Sequence, residues 1–271
     1  MINGVGWADE FNKEPKISQK LINRIIFLLS KKGSLMVELP SLRDLLDAGV
    51  HFGHKTSRWY PKMAPYIFTS KSGVHVINLE KTAEKMAEAV AFIRKEAEAG
   101  KVMVFVGTKK QSGEIIKQAA IKCGMPYVNN RWLGGAITNF EMIKSAAKKL
   151  KKQKEELENE ENSELNKSEL SKMRKDAIRG EKFLGGLVGL ERKPDILVLF
   201  DAHDETNALK EAIVANMPIV ALVDTNANPE LITYPIPAND DATKSVTLFA
   251  NLFADVIIEA RAKSAKVAVA K

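Results

Sequence analysis

Three short apolar runs constrain the fold of this 271-residue chain more than any other feature of its sequence. They lie at residues 102–106, 196–200 and 219–223, and none of them contains a polar residue. Strands of this kind are typical of parallel sheets, because helices cover both faces of such a sheet. Amphipathic segments separate the runs, and alternating strands and helices predict a doubly wound, Rossmann-like α/β fold with a parallel sheet.

The predicted helices follow the same pattern. Met86, Val90, Ile93 and Ala97 share one face of a helix predicted at 79–99, and Gly100 follows it at the usual position of a helix C-cap. Further helices are predicted at 112–123, at 205–216 and from 240 onward, with short strands at 75–78, 125–128 and 233–235. These elements lie in two stretches of the chain, 36–140 and 183–262, which together form the predicted α/β domain.

The segment between them, residues 141–182, has a different pattern. Ile143, Leu150 and Leu157 repeat every seven residues. After a polar break at 159–168, a second apolar seam comprises Leu170, Met173, Ala177, Gly180 and Leu184. Two narrow seams joined by a polar turn predict an inserted antiparallel helical hairpin with coiled-coil packing. A solvated hairpin without a ligand and a docking arm for RNA or protein both stay open.

Composition excludes several classes of protein. The single cysteine, Cys123, excludes a disulfide framework and a cysteine-based zinc ribbon. The longest apolar runs are far shorter than the roughly 18 residues of a transmembrane helix, and Arg24 interrupts the apolar stretch near the N-terminus. We therefore expect a cytoplasmic protein with no membrane partner. The net charge of +7 favours a polyanionic partner.

The loop at 107–113, GTKKQSG, follows a predicted buried strand, where phosphate-binding loops occur. It lacks the spacing of a P-loop, because Lys109 and Lys110 come too early and Glu114 follows the second glycine. It does not match the dinucleotide fingerprint either. We expect no cofactor, while contact with an RNA phosphate and a plain turn both stay open.

Metal and catalytic sites have only partial signatures. His51 and His54 are separated by two residues, but no third ligand of a zinc site follows, so capping or RNA contact is favoured. Asp201, His203 and Asp224 follow predicted strands and are candidate ligands of a divalent ion, although such residues are also common in loops. The Gly-x-Ser-x-Gly nucleophile elbow is absent, and we predict no catalytic residue.

Basic and aromatic residues are interleaved in two segments, 54–62 and 129–135. Arginine and lysine neutralise phosphates, whereas tryptophan and tyrosine stack on unpaired bases. The alternative is that Trp59, Tyr60 and Trp132 point inward as loop anchors. The predicted RNA-binding residues are Lys55, Arg58, Trp59, Lys62, Lys109, Lys110, Arg131 and Trp132.

Several long segments resemble one known family. The segment LRDLLDAGVHFGH at 42–54 resembles the N-terminal signature of small-subunit ribosomal protein two, of the bacterial type. The segments 194–201 and 211–218 together resemble its second signature. Shorter matches follow the family's order at 129–139, 183–187, 223–226 and 235–241. The resemblance covers residues 36–262.

The resemblance implies a Rossmann-like α/β domain with an inserted helical hairpin. It also implies that this domain binds small-subunit ribosomal RNA. It also implies docking of protein one, the large messenger-binding protein of the small subunit, and no catalysis. The basic candidates at 55, 58, 62, 109, 110 and 131 match family positions. The competing interpretation is a nucleotide or sugar-phosphate enzyme, because a doubly wound sheet does not itself specify function.

The two ends of the chain lie outside the resemblance. Residues 1–35 have no family counterpart, and the codons of Lys31-Lys-Gly-Ser34 can form a purine-rich stretch that resembles a ribosome-binding site. We therefore expect that translation starts at Met36 and that 1–35 is an over-extended start. The alternative is a genuine extension with a short helix at 17–29. The Ala/Lys-rich tail, 263–271, is predicted to be disordered.

Overall fold

A computed structural model describes residues 37–158 and 167–269. The chain divides into two units, Met1–Glu38 and Leu39–Lys271, and the fold described here is that of the second. The predicted over-extended start at 1–35 lies outside the described residues, as do residues 270–271 of the predicted tail.

The described elements alternate as expected over most of the chain. In order they are α1 (Leu42–Asp47), β1 (Phe52–Lys55), β2 (Ile67–Lys71), β3 (Val74–Ile77), α2 (Leu79–Glu98), β4 (Met103–Val106), α3 (Gly113–Cys123), β5 (Tyr127–Val128), α4 (Phe140–Glu158), α5 (Lys167–Leu184), β6 (Ile196–Leu199), α6 (Thr206–Val214), β7 (Ile219–Val223), β8 (Tyr234–Pro237) and α7 (Thr243–Val269). Short 3₁₀ turns lie at Thr56–Arg58, Pro61–Tyr66, Gly185–Leu187 and Pro229–Leu231.

Five strands form a parallel sheet in the order β5-β4-β6-β7-β8. All residues of β4, β6 and β7 are buried, which confirms the parallel α/β sheet predicted from the three apolar runs. Counted along the chain, the order is 2-1-3-4-5, so the direction of winding reverses between β4 and β6. Ligands of doubly wound sheets bind outside the carboxyl ends of the strands at such a reversal.

Helices cover the sheet on both faces. On one face α2 and α3 pack on α7, and the ring of Phe253 in α7 lies 6.0 Å from the ring of Phe200, which follows β6. On the other face, Ala208 and Leu209 of α6 belong to the same buried cluster as Leu197 of β6. No helix within 37–158 and 167–269 has both the length and the apolar content that a membrane crossing requires.

A second, antiparallel sheet in the order β1-β3-β2 precedes the parallel one. The sequence analysis predicted only its β3 strand, at 75–78. Strands β1 and β2 have four and five residues, and each pairing with β3 contains a register irregularity. Strand β2 is exposed at all but its first position, so it has no alternation of apolar and polar residues. Neither strand therefore shows the period of two that identifies a half-buried strand.

Helices α4 and α5 pack against each other along the predicted seams. Leu150 and Ala177 are buried, and a Cβ added at Gly180 would lie 2.8 Å from Leu150 Cδ1. Lys154 forms an ion pair with Glu181 across the two helices. Ile143, near the start of α4, also belongs to the core cluster beneath the sheet, so the seam continues into the main core. The connection at 159–166 lies outside the described residues, and the coiled-coil hairpin stays a prediction.

The tail differs from its prediction. Helix α7 continues to Val269, through most of the segment predicted to be disordered. Ser264 Oγ donates a hydrogen bond to the Glu98 carbonyl at 3.0 Å, and Lys263 Nζ lies 3.5 Å from Glu98 Oε1. Alanine and lysine have high helix propensity, so the same composition extends a helix once α2 provides contacts.

The distal part of α4 and α5 should be removable. Replacing residues 151–175 with a short Gly/Ser turn keeps Leu150, Ala177 and the contact of Ile143 with the core. We expect the shortened chain to unfold in one cooperative transition when its ellipticity is followed with temperature. Ile143→Ala in the full chain serves as the comparison, because it removes core contacts worth about 2–5 kcal/mol. A shortened chain without a cooperative transition would show that the distal helices belong to the core.

Candidate nucleic-acid interface

Four loops meet at the carboxyl edge of the parallel sheet, where the order of the strands reverses. Lys109 follows β4, Asp201 follows β6, Asp224 follows β7, and Asp240 follows β8. The three aspartates are only 2%, 1% and 0% exposed, respectively. Buried carboxylates carry a large desolvation cost unless a cation or hydrogen-bond donors compensate it. The edge therefore depends on charge compensation from within the chain.

Lys109 provides most of that compensation. Its Nζ lies 2.7 Å from Asp201 Oδ2, from Asp240 Oδ1 and from Asp241 Oδ1. Burial lowers the pKa of Lys109, but the neighbouring carboxylates of Asp240 and Asp201 outweigh burial and raise the pKa above its ordinary value. Burial, together with the charges of Asp201 and Asp224, raises the pKa of Asp240 well above its usual range. The lysine is thus a fixed positive charge among carboxylates.

His54 joins the same cluster from β1. Its backbone N–H donates to Thr225 Oγ1 at 2.8 Å, and a Cβ added at Gly53 would lie 2.7 Å from Thr225 Cγ2, so only glycine permits this approach. His54 Nδ1 lies 3.1 Å from Asp224 Oδ2, and Nε2 lies 3.4 Å from Asp241 Oδ2. The interaction with Asp224 raises the pKa of His54 above its ordinary value, against the effect of burial.

The predicted histidine ligands separate in the structure. The buried His51 ring packs 4.0 Å from the Phe52 ring, and burial lowers the pKa of His51. His203 is half exposed, with its Nδ1 3.0 Å from Asp204 Oδ1.

A different set of donors lies close together. Among the described residues, His54, Asp224 and Asp240 form the group whose donor atoms are close enough to hold one metal ion. Of the predicted ligands Asp201, His203 and Asp224, only Asp224 belongs to this group. The sequence analysis considered His54 as a zinc ligand together with His51. It could not link His54 to Asp224, because the two residues are far apart in the chain.

Two of the predicted RNA-binding residues of the first segment, Lys55 and Arg58, line an open pocket of about 370 Å³. His54 and Asp224 line the same pocket. The Lys55 and Arg58 side chains are exposed and form no ion pair with any described residue. Trp59 is 40% exposed, with its ring 5.4 Å from the His75 ring. This tryptophan therefore keeps a free face.

Lys62 and Lys110 are also exposed, but their surroundings differ. Lys62 forms an ion pair with Glu230, and both side chains remain about half exposed. Lys110 directly follows the partly buried Lys109 and forms no ion pair within the part of the chain that the structure describes. Neighbouring lysines in one loop thus have opposite environments, one among carboxylates and one in solvent.

The loop that carries Arg131 is fixed by Glu211 of α6. Glu211 Oε1 accepts hydrogen bonds from Trp132 Nε1 at 3.0 Å and from the Gly135 N–H at 2.8 Å. Its Oε2 accepts bonds from the backbone N–H groups of Ile137 and Thr138, at 3.0 and 3.2 Å. Burial raises the pKa of Glu211, but the hydrogen bond from Trp132 and these backbone bonds outweigh it and hold the pKa below its ordinary value.

The two neighbours in this loop point in opposite directions. Trp132 is only 7% exposed and serves as an inward anchor, as the alternative interpretation of the sequence allowed, whereas Arg131 is exposed. Glu211 was not among the predicted site residues, although it opens one of the segments that carried the family resemblance. Its role depends on contacts with a loop more than 70 residues away in the chain, which one sequence does not reveal.

All eight predicted RNA-binding residues lie in loops at the carboxyl edge of the parallel sheet or in the antiparallel segment attached to it. Six of them are exposed: Lys55, Arg58, Trp59, Lys62, Lys110 and Arg131. The other two, Lys109 and Trp132, are engaged within the chain. Contact with RNA stays a prediction for all eight.

Comparison with known proteins identifies the family. The model of the family described as "Ribosomal protein S2" matches residues 45–260. The chain belongs to the ribosomal protein S2 family. It is 45% identical over 221 residues to the "Small ribosomal subunit protein uS2" of Nostoc punctiforme, covering 82% of this chain and 84% of that protein. The protein of the same name from Trichormus variabilis is also 45% identical over 221 residues, covering 82% of this chain and 83% of its own length.

Ribosomal protein S2 is a structural, non-enzymatic protein, and this chain shares that structural ribosomal role. The charges at the sheet edge do not suit a bound nucleotide phosphate. The position where doubly wound enzymes bind phosphates is filled here by Asp201, Asp224 and Asp240, and the lysine of the loop is already bound to carboxylates. A polyphosphate at this position would face a net negative charge.

Removing Lys109 should destabilise the fold strongly. Lys109→Met leaves buried carboxylates uncompensated, and we expect a loss of about 3–5 kcal/mol in the free energy of unfolding. The loss should shrink as pH falls, because the variant's carboxylates have higher pKa values in the folded state and become neutral sooner. Urea denaturation at several pH values measures it, with Lys110→Met as the matched control. Equal, small effects of both substitutions would contradict the role of Lys109.

The contact of Glu211 with the loop predicts a different pH dependence. Glu211→Ala leaves the Trp132 and backbone donors unpaired, so we expect a loss of about 2–3 kcal/mol. Because the folded pKa of Glu211 is lowered, this stabilisation is present above the carboxyl's ordinary pKa and disappears as pH falls through the folded value. Denaturant titrations of both proteins should therefore converge in acid. The exposed Glu114→Ala should change little, and a persistent difference at acidic pH would contradict the assignment.

Proposed function

We propose that this S2-family protein binds small-subunit ribosomal RNA through the exposed basic and aromatic side chains at the carboxyl edge of its sheet. The observation that supports the proposal most strongly is the separation of charge at that edge. Asp201, Asp224 and Asp240 are buried and Lys109 is partly buried against carboxylates, whereas Lys55, Arg58, Lys110 and Arg131 are exposed without ion pairs to the described residues. Phosphates are the natural counterions of such side chains.

The surroundings of each candidate suggest its contribution. Lys55, Arg58, Lys110 and Arg131 contact phosphates directly, because none of them has to leave an ion pair with a described residue. Lys62 exchanges Glu230 for a phosphate, which lowers its net contribution. The exposed face of Trp59 stacks on an unpaired base.

Lys109 and Trp132 act differently in this proposal. Before either could reach RNA, Lys109 would have to leave Asp201, Asp240 and Asp241, and Trp132 would have to leave Glu211. They orient their exposed neighbours Lys110 and Arg131.

Docking of protein one, which the family resemblance implies, forms a second part of the proposal. The helices α4 and α5 are the candidate surface, because their outer faces are exposed and keep apolar side chains such as Met142 and Ile178, at 55% and 73% exposure. Small subunits assembled with the double variant Met142→Ser and Ile178→Ser of the full chain should retain less protein one than subunits with the parent chain. Equal retention would assign docking to another surface.

The salt dependence of RNA binding tests the phosphate contacts. Arg58→Ala and Arg131→Ala should each reduce affinity for small-subunit ribosomal RNA and flatten the slope of log affinity against log salt by about 0.7–0.9, the value for one lost phosphate contact. Filter binding over a range of potassium chloride concentrations measures both quantities. Lys193→Ala is the matched control, because Lys193 is exposed but precedes β6 at the opposite edge of the sheet.

The control separates a local contact from a general effect of charge. If all three substitutions change the slope equally, binding follows net charge and the proposed surface is wrong. If Arg58→Ala and Arg131→Ala leave affinity and slope unchanged, RNA binding lies elsewhere on the protein.

A further inference from the structure

Lys109 leaves part of the buried carboxylate cluster uncompensated. Oδ1 of Asp240 binds Lys109 Nζ at 2.7 Å, but Oδ2 of the same carboxylate accepts no hydrogen bond from the described residues. Asp240 is 0% exposed, whereas Oδ2 of the buried Asp224 lies 3.1 Å from His54 Nδ1. Unpartnered carboxylate oxygens at such depth are costly unless a cation is bound beside them.

His54 adds a nitrogen donor at the same place. Its Nδ1 lies 3.1 Å from Asp224 Oδ2, and one donor atom each from His54, Asp224 and Asp240 lies within 4.8 Å of the other two. A tetrahedral zinc ion with bonds of about 2.0–2.2 Å holds its ligand atoms about 3.3–3.6 Å apart. The spacing of His54 and Asp224 is already close to that value.

We propose that His54, Asp224 and Asp240 bind one structural zinc ion, with water as the fourth ligand. One imidazole and two carboxylates form a donor set that zinc accepts, whereas magnesium prefers oxygen ligands and several bound waters. The group meets the geometric requirement, and the unpartnered Asp240 Oδ2 points to a missing cation independently of the number of acidic residues.

Charge balance and topology support the same ion. The cluster contains the carboxylates of Asp201, Asp224, Asp240 and Asp241, and the groups that face them with positive charge are the ammonium of Lys109 and the protonated imidazole of His54. A divalent ion that replaces the imidazole proton brings the sum close to neutrality, and Asp240 would contact Lys109 through Oδ1 and the ion through Oδ2. The ion would join β1 to the segments that follow β7 and β8, and so fix the strand that ends at Lys55.

Direct metal titration tests the site in the purified full-length chain after treatment with a chelator. We expect calorimetry with zinc chloride to give one ion per chain. His54→Gln should reduce the affinity by at least about tenfold, since even the loss of an outer-shell partner costs 10–100-fold. His203→Gln is the matched control, because His203 is an exposed histidine at the same sheet edge. Zinc should raise the melting temperature of the parent and the control but not that of His54→Gln.

Cobalt supplies a readout that needs no variant. Co²⁺ in a tetrahedral site with a nitrogen ligand absorbs visible light much more strongly than the hydrated ion, so binding should intensify the visible spectrum and zinc should reverse it. A spectrum identical to that of hydrated cobalt overturns the proposal even if His54→Gln does not fold. The absence of one-to-one zinc binding, or equal losses in His54→Gln and His203→Gln, overturns it as well.

Discussion

The ammonium of Lys109 holds together the edge of the sheet on which the proposed functional surface depends. It extends from the loop after β4 to carboxylates that follow β6 and β8, at 2.7 Å from each. Without it, Asp201 and Asp240 would be buried as uncompensated like charges. The same contact fills the place where other doubly wound sheets hold a ligand. The position at which other doubly wound sheets bind phosphate therefore contains stabilising ion pairs in this chain.

The ion pairs of Lys109 determine which side chains of this edge remain available to an anionic partner. The antiparallel segment is attached to the parallel sheet through Thr225, whose carbonyl accepts the Tyr60 N–H at 2.7 Å and whose hydroxyl accepts the His54 N–H at 2.8 Å. Glu211 attaches the loop after β5 in a comparable way. Both attachments are internal and polar, and both leave basic side chains pointing outward. The interior of the edge is acidic, and its surface is basic.

The sequence predicted those features that depend on local pattern. Continuous apolar runs identified the buried strands, and the heptad spacing of Ile143 and Leu150 identified buried positions of α4. Interleaved basic and aromatic residues identified loops that do lie at the sheet edge. Each of these signals exists within a short window, so a single sequence is enough to detect it.

Features that depend on distant contacts could not be predicted. Strands β1 and β2 are too short and irregular to show a period, although pairing with β3 stabilises both. Lys109 and Lys110 look equivalent in sequence, and only the fold brings Asp240 to one of them. Trp132 differs from Trp59 because Glu211 accepts its indole N–H. Helix α7 continues into the Ala/Lys-rich tail, where Ser264 contacts the carbonyl of Glu98 in α2.

A cryo-EM reconstruction of the cognate small subunit containing this protein would test the central claim most directly. The claim is that internal ion pairs hold the sheet edge together and that exposed cations beside it form an RNA-binding surface. We predict side-chain nitrogens of Arg58, Lys110 and Arg131 within about 4 Å of phosphate oxygens, the usual limit for an ion pair. Lys109 should remain among its carboxylates. A map in which Lys109 contacts a phosphate, or in which those three side chains point away from RNA, would contradict the claim.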